Sequence, residues 1–132
     1  MNDVKFICIV GAPGSGKTFF ARETSKPGEI IIDDIKSIDI IPDVLKKGYK
    51  TFFITDPFFC FSNVRLNAEK ILKDFAKDSI VEWIFFENNV DKCWNNVKHR
   101  DDGRIISLKS IQFFSERYNP PENCLKIWQK NS

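Results

Sequence analysis

Histidine occurs once in the 132 residues, as His99, so no histidine pair is available to hold a metal ion. Cys8, Cys60, Cys93 and Cys124 are too far apart for a Cys-x-x-Cys zinc or redox motif. They read as reduced thiols packed as small apolar side chains. No apolar run approaches the ~20 residues a membrane span needs. Met1-Asn2-Asp3 leads straight into a short apolar run, with no secretory leader. The expectation is a soluble, cytoplasmic chain with no membrane partner. Surplus charge is also lacking: 20 Lys and Arg against 18 Asp and Glu leave a net charge of only +2. That argues against a protein that coats nucleic acid, while allowing a short basic groove for one strand end. An Asn-Lys-x-Asp segment, which would read guanine, is missing, and this counts against a GTPase. With no repeat, linker or low-complexity stretch, residues 1–132 read as a single domain.

What is present is a regular alternation of strands and helices. Val4 to Val10 is a short, nearly continuous apolar run ending at Gly11, the pattern of a buried parallel strand. A helix opens near Lys17, with Phe20 and Ala21 able to face the sheet. Glu29 to Ile32 reads as a second strand, Thr51 to Thr55 as a third and Ile80 to Phe86 as a fourth. Cys124 to Trp128 reads as a fifth, short edge strand. Between them Ile35, Ile38 and Ile41 recur at helical spacing up to Pro42. Ser62 or Asn63 can cap a helix carrying Val64, Ala68, Ile71, Leu72 and Phe75 on one face. Asn88 or Asn89 can cap a helix with Val90, Cys93, Trp94 and Val97, and Ser107 can start one with Leu108, Ile111 and Phe114 inward. The fold class predicted is α/β, with a five-stranded parallel sheet and helices on both faces.

The first strand runs into Gly11-Ala12-Pro13-Gly14-Ser15-Gly16-Lys17-Thr18, a complete Gly-x-x-x-x-Gly-Lys-Thr pattern between a strand and a helix. Such a P-loop bends on its glycines and turns backbone N–H groups, together with a helix N-terminus, toward the phosphates of a nucleotide. Lys17 would neutralise phosphate charge, and the Thr18 hydroxyl would ligate Mg²⁺. The fold type predicted is therefore that of P-loop NTPases and kinases.

Ligands of open α/β sheets lie beyond the carboxyl ends of the strands. Asp33, Asp34 and Asp56 are the carboxylates there. Asp56 ends the apolar strand Phe52-Phe53-Ile54-Thr55 and suits a Mg²⁺ site, directly or through water; the alternative is a turn residue before Pro57. Asp33 or Asp34 could take the proton of an attacking hydroxyl. A division of labour is preferred, with Asp33 as base and Asp34 as helix cap or orienter. The segment from His99 to Arg104 is a lid candidate, at about 99–106, whose Arg100 and Arg104 could close over the phosphates. A solvated surface loop is the alternative.

In their order these pieces resemble the 5′-kinase domain of bacteriophage-type polynucleotide kinases over about residues 4–118. The likeness is closest in Gly11 to Glu23, in Ile32-Asp33-Asp34-Ile35-Lys36 and in Ile54-Thr55-Asp56. The resemblance implies that Lys17 and Thr18 bind phosphate and Mg²⁺. It also implies that Asp33 activates the acceptor hydroxyl and that Arg100 lies in the lid, over the phosphates. Lys36 stands where the family has an arginine that contacts the acceptor's phosphate, and Pro57-Phe58-Phe59 is more apolar than the family pattern. The expected function is an ATP- and Mg²⁺-dependent phosphotransferase acting on a hydroxyl of a polynucleotide, a nucleobase substituent or a nucleoside. Lys36, with Phe58, Phe59 and Phe61, would face the acceptor, unless those rings simply close the core. The rival expectations are a kinase of an unrelated small molecule and a nucleotide-binding interaction protein with little turnover.

Overall fold

The computed structural model describes residues 3–99 and 106–129. Arg100 and Arg104, and with them most of the lid segment expected at 99–106, lie outside the described residues. The chain forms a parallel sheet flanked by helices. Strand β1 is Lys5–Val10, followed by helix α1 (Lys17–Thr24) and strand β2 (Ile30–Ile32). A 3-10 helix (Ile35–Ile40) and helix α2 (Ile41–Lys46) lead to strand β3 (Thr51–Thr55). A second 3-10 helix (Pro57–Cys60), helix α3 (Ser62–Phe75), strand β4 (Ile80–Phe85) and helices α4 (Val90–Lys98) and α5 (Leu108–Ser115) complete the elements.

The strands lie in the order β2-β3-β1-β4, all parallel. β1 is therefore central, which is why Phe6, Cys8, Ile9 and Val10 are all fully buried and why its sequence shows no polar alternation. With the right-handed sense that crossovers between parallel strands take, this order assigns α1 to one face and α2 and α3 to the other. Adjacent strands β1 and β3 thus send their chains to opposite faces, and a crevice opens at their carboxyl ends.

Among the described residues the sheet has four strands, not the five expected. Leu125 makes a single parallel bridge to Phe86, through Leu125 N–H to the Phe85 carbonyl and Glu87 N–H to the Leu125 carbonyl. Beyond it the backbone is claimed by side chains. Ile127 N–H donates to the Glu87 carboxylate at 2.8 Å, and the Trp128 carbonyl accepts from Asn96 at 2.8 Å. A short apolar run next to a sheet edge looks the same in sequence whether its amides meet a strand or a helix's side chains.

The caps follow local chemistry in most places. Asn89 accepts from Lys92 N–H, and Ser107 accepts from Ser110 N–H. Asn88 instead ties α5 down, donating to the carbonyls of Ser115 and Tyr118. Neither Ser62 nor Asn63 caps α3: its N-cap is Phe61, with no side-chain bond. The preceding 3-10 helix already fixes the entry there, and Phe61 O accepts from Val64 and Arg65 N–H.

Candidate functional site

The glycine-rich segment joins β1 to α1 at the carboxyl edge of the sheet. Gly14 has φ +89°, and a Cβ on it would lie 2.5 Å from the Cys93 carbonyl oxygen and 2.9 Å from Val97 Cγ2. The backbone thus crosses α4 in contact, where only glycine fits. Gly16, at φ +95°, is the N-cap of α1 and has open space around it, so its need is conformational. Within the loop, Ser15 N–H closes a turn onto the Ala12 carbonyl at 3.1 Å. Lys17 is only 8% exposed, and its Nζ donates to the same carbonyl at 3.1 Å. Burial pushes the thiols of Cys60 and Cys93 up to about 12 and about 11, while the nearby Lys17 ammonium pulls both the other way. They are inert thiols beside a positive charge.

Three carboxylates stand at this edge in three situations. Asp33 follows β2 and is exposed. Its Oδ1 accepts from the Thr18 hydroxyl at 3.0 Å and from the Thr55 hydroxyl at 2.7 Å. Among the described residues, its Oδ2 takes no hydrogen bond. Asp34 caps the first 3-10 helix, accepting from Lys36 N–H at 2.8 Å. Asp56 is 4% exposed and has both oxygens engaged, Oδ1 by Phe58 N–H and Oδ2 by Ile35 N–H, each at 2.8 Å. It fastens the start of one 3-10 helix to the start of the other. The sequence pairs Thr18 with Asp56 around a cation; the structure brings Thr18 to Asp33. Thr55 escaped the sequence reading, although a polar residue closing an apolar strand beside an aspartate is a visible signal.

Lys17, Thr18, Asp33 and Thr55 line one crevice of about 970 Å³. It is lined by the loop from Pro13 to Thr18 with Asp33, Thr55 and Pro57, and by Phe86, Ser107, Phe114, Leu125, Lys126 and Trp128 from later in the chain. Asn96 ties the loop to the Trp128 segment. Its Nδ2 donates to the Gly14 carbonyl at 3.1 Å and to the Trp128 carbonyl at 2.8 Å, a role with no signal in the sequence. Tyr118 braces the floor: its buried hydroxyl donates to the Phe86 carbonyl, with the Val10 carbonyl 3.4 Å away. Of the three phenylalanines after β3, Phe59 is fully buried, so core closure is its role. Phe58 is 45% exposed, and with Phe61 it joins Phe113 and Phe114 of α5 in one ring cluster. Lys36 is exposed on the first turn of its 3-10 helix.

No group of three or more His, Cys, Asp or Glu side chains gathers among the described residues. The donors at the loop are two hydroxyls and one carboxylate. An all-oxygen set with one carboxylate suits Mg²⁺, which takes its remaining ligands from water and substrate phosphates. Among the described residues no helix is long and apolar enough to cross a membrane.

No family model matches the chain. It is 33% identical over 121 residues to the uncharacterized protein R277 of Acanthamoeba polyphaga mimivirus, covering 89% of this chain and 88% of that protein. The chain belongs to the same family as that viral protein.

Proposed function

We propose that this family member is a small P-loop phosphotransferase that moves the γ-phosphate of ATP to a hydroxyl of a polynucleotide, a nucleobase substituent or a nucleoside. The observation that carries the proposal is the contact between Asp33 and Thr18, which joins a carboxylate from one strand end to the first turn after a Gly-x-x-x-x-Gly-Lys-Thr loop. In this reading the loop N–H groups and Lys17 hold the β- and γ-phosphates. Thr18 and Asp33 Oδ1 provide the oxygen side of a Mg²⁺ site. A bound Mg²⁺ would offset phosphate charge.

Asp33 can serve both partners because its two oxygens differ. Oδ1 is held by Thr18 and Thr55, and Oδ2 is left to meet the acceptor. The acceptor O–H proton passes to Oδ2 as its oxygen bonds to the γ-phosphorus. The bond from that phosphorus to the β–γ bridging oxygen breaks, and the electron pair leaves with ADP. Phosphoryl transfer of this kind needs little beyond positioning and charge stabilisation. Lys36 and the exposed ring of Phe58 would meet a base and its phosphate on the acceptor side.

A nucleotide-binding interaction protein with little turnover is the second reading. The capture of both Asp56 oxygens by backbone N–H groups favours it, because it leaves one carboxylate fewer for a cation. Transfer of labelled γ-phosphate from ATP to a panel of oligonucleotides, nucleosides and unrelated alcohols separates the readings. Transfer to nucleic-acid acceptors is expected. It should vanish in Lys17→Met, which keeps the buried stem and removes the ammonium. Nucleotide binding without transfer to any acceptor would leave the binding protein, and equal turnover in a folded Lys17→Met variant would remove the phosphate-loop assignment.

A further inference from the structure

We infer that the base of the triphosphate donor stacks against Phe19 and Trp128, which brings the end of the described chain into the donor site. The inference rests on the phosphate-loop reading above and adds a base seat to it. Phe19 and Trp128 are 58% and 66% exposed, yet their rings are stacked, with centroids 6.1 Å apart and planes 16° from parallel. Two large rings kept more than half in water contribute little to the core; they do offer flat apolar faces to a ligand. Both line the same crevice as the glycine-rich loop. Phe19 directly follows Thr18, so its ring stands just past the end that would hold the phosphates.

Trp128 comes from the far end of the chain, and its place is fixed from several sides. The Asn96 amide that donates to its carbonyl also donates to the Gly14 carbonyl, so one side chain sets the distance between ring and loop. Before it, Ile127 N–H is held by Glu87, whose carboxylate also takes Lys92 Nζ at 2.8 Å. After it, Gln129 Nε2 donates to the Lys92 carbonyl at 3.1 Å. The Ile127 backbone before it and the Gln129 side chain after it are held, while the indole stays exposed at the crevice. That arrangement prepares a stacking surface with little ordering left to lose on binding. Stacking engages a face that all bases share, so ATP and GTP should bind within a few fold of each other.

Tryptophan fluorescence and equilibrium binding of the full chain test this, using ATP, GTP, inorganic tripolyphosphate and a short oligonucleotide in Mg²⁺ buffer. Phe19→Ala and Trp128→Ala should each weaken ATP by on the order of tenfold and leave tripolyphosphate unchanged, and Trp128→Phe should recover most of the loss. ATP should perturb Trp128 fluorescence, and tripolyphosphate should not. The base seat is wrong if the two alanine variants leave ATP affinity alone, if they weaken tripolyphosphate equally, or if the oligonucleotide perturbs Trp128 and ATP does not. If neither ATP nor tripolyphosphate binds the unmodified protein, the phosphate-loop reading falls and the base seat falls with it. Both side chains are exposed, so these substitutions should not threaten folding.

Discussion

The segments that follow β2 and β3 start from the same plan and end in different roles. Each leaves its strand through an aspartate in extended conformation that caps a 3-10 helix by accepting the N–H two residues on: Asp34 from Lys36, and Asp56 from Phe58. In the parallel register Ile32 pairs with Ile54, so Asp34 stands level with Asp56 and Asp33 level with Thr55. After β3 the only carboxylate is used by the cap, and its second oxygen fastens Ile35 N–H of the neighbouring segment. After β2 there is one carboxylate more. Capping consumes Asp34, and Asp33 remains exposed with Thr18 and Thr55 orienting one of its oxygens. Doubling the aspartate leaves one carboxylate outside the capping duty, while the single aspartate after β3 goes to structure.

The sharpest break of that comparison is Asp33→Asn. The amide keeps the shape and still accepts from the two hydroxyls, but it cannot take a proton. The transfer rate should fall by on the order of 10² or more, with ATP affinity within a few fold and thermal stability unchanged. Single-turnover transfer and ATP titration on the same preparation check both halves. A larger rate loss in Asp34→Asn would exchange the two roles.

Asp56→Asn should act on folding. A buried carboxylate accepting two backbone N–H groups would be replaced by an amide whose NH₂ must oppose one of them. The expected loss is about 2–3 kcal/mol in urea unfolding. The Mg²⁺ concentration for half-maximal rate should stay that of the unmodified protein. A raised Mg²⁺ requirement would return Asp56 to the metal-holding role that its place after an apolar strand suggests.

That suggestion marks the limit of what the sequence discloses here. Four strands and their carboxyl ends were legible, because a buried parallel strand is a continuous apolar run and the residue that stops it is polar. Asp33, Asp34 and Asp56 could be located at the carboxyl edge for the same reason. Their division of labour could not be read in full, since it depends on the register between β2 and β3 and on which backbone N–H groups each carboxylate meets. The stretch Cys124–Trp128 misled for a related reason. Its apolar character fits an edge strand, while the Asn96 and Glu87 side chains that capture its backbone come from distant positions. Likewise Phe58 and Phe59 are adjacent and chemically identical, yet one is half-exposed and the other is core, a distinction set by the turn of a 3-10 helix.

A smaller effect is expected from Asp34→Ala. Removing a cap whose carboxylate is exposed should cost about 1 kcal/mol of stability, measured by the same unfolding titration, and change the rate only a few fold. A loss as large as that of Asp56→Asn would mean that the two caps are equivalent despite their different burial, and that the second bond of Asp56 adds nothing.

The mildest change probes the hydroxyl level with Asp33. Thr55 is buried at the end of β3, and its Oγ1 is one of two donors that hold Asp33 Oδ1. Thr55→Val keeps the shape and β-branching and deletes the donor, while Thr18 still reaches the same oxygen. The carboxylate should then sample more orientations, and the transfer rate should drop by a few fold, about 1 kcal/mol or less of activation free energy. Thr55→Ser restores a hydroxyl at the same Cβ and should recover most of that rate, although it removes a buried methyl group at some cost in stability. Measuring rate and unfolding together therefore separates orientation from packing. If Thr55→Ser recovers no rate while Thr55→Val retains stability, Thr55 contributes through packing alone, and Asp33 relies on Thr18 for its orientation.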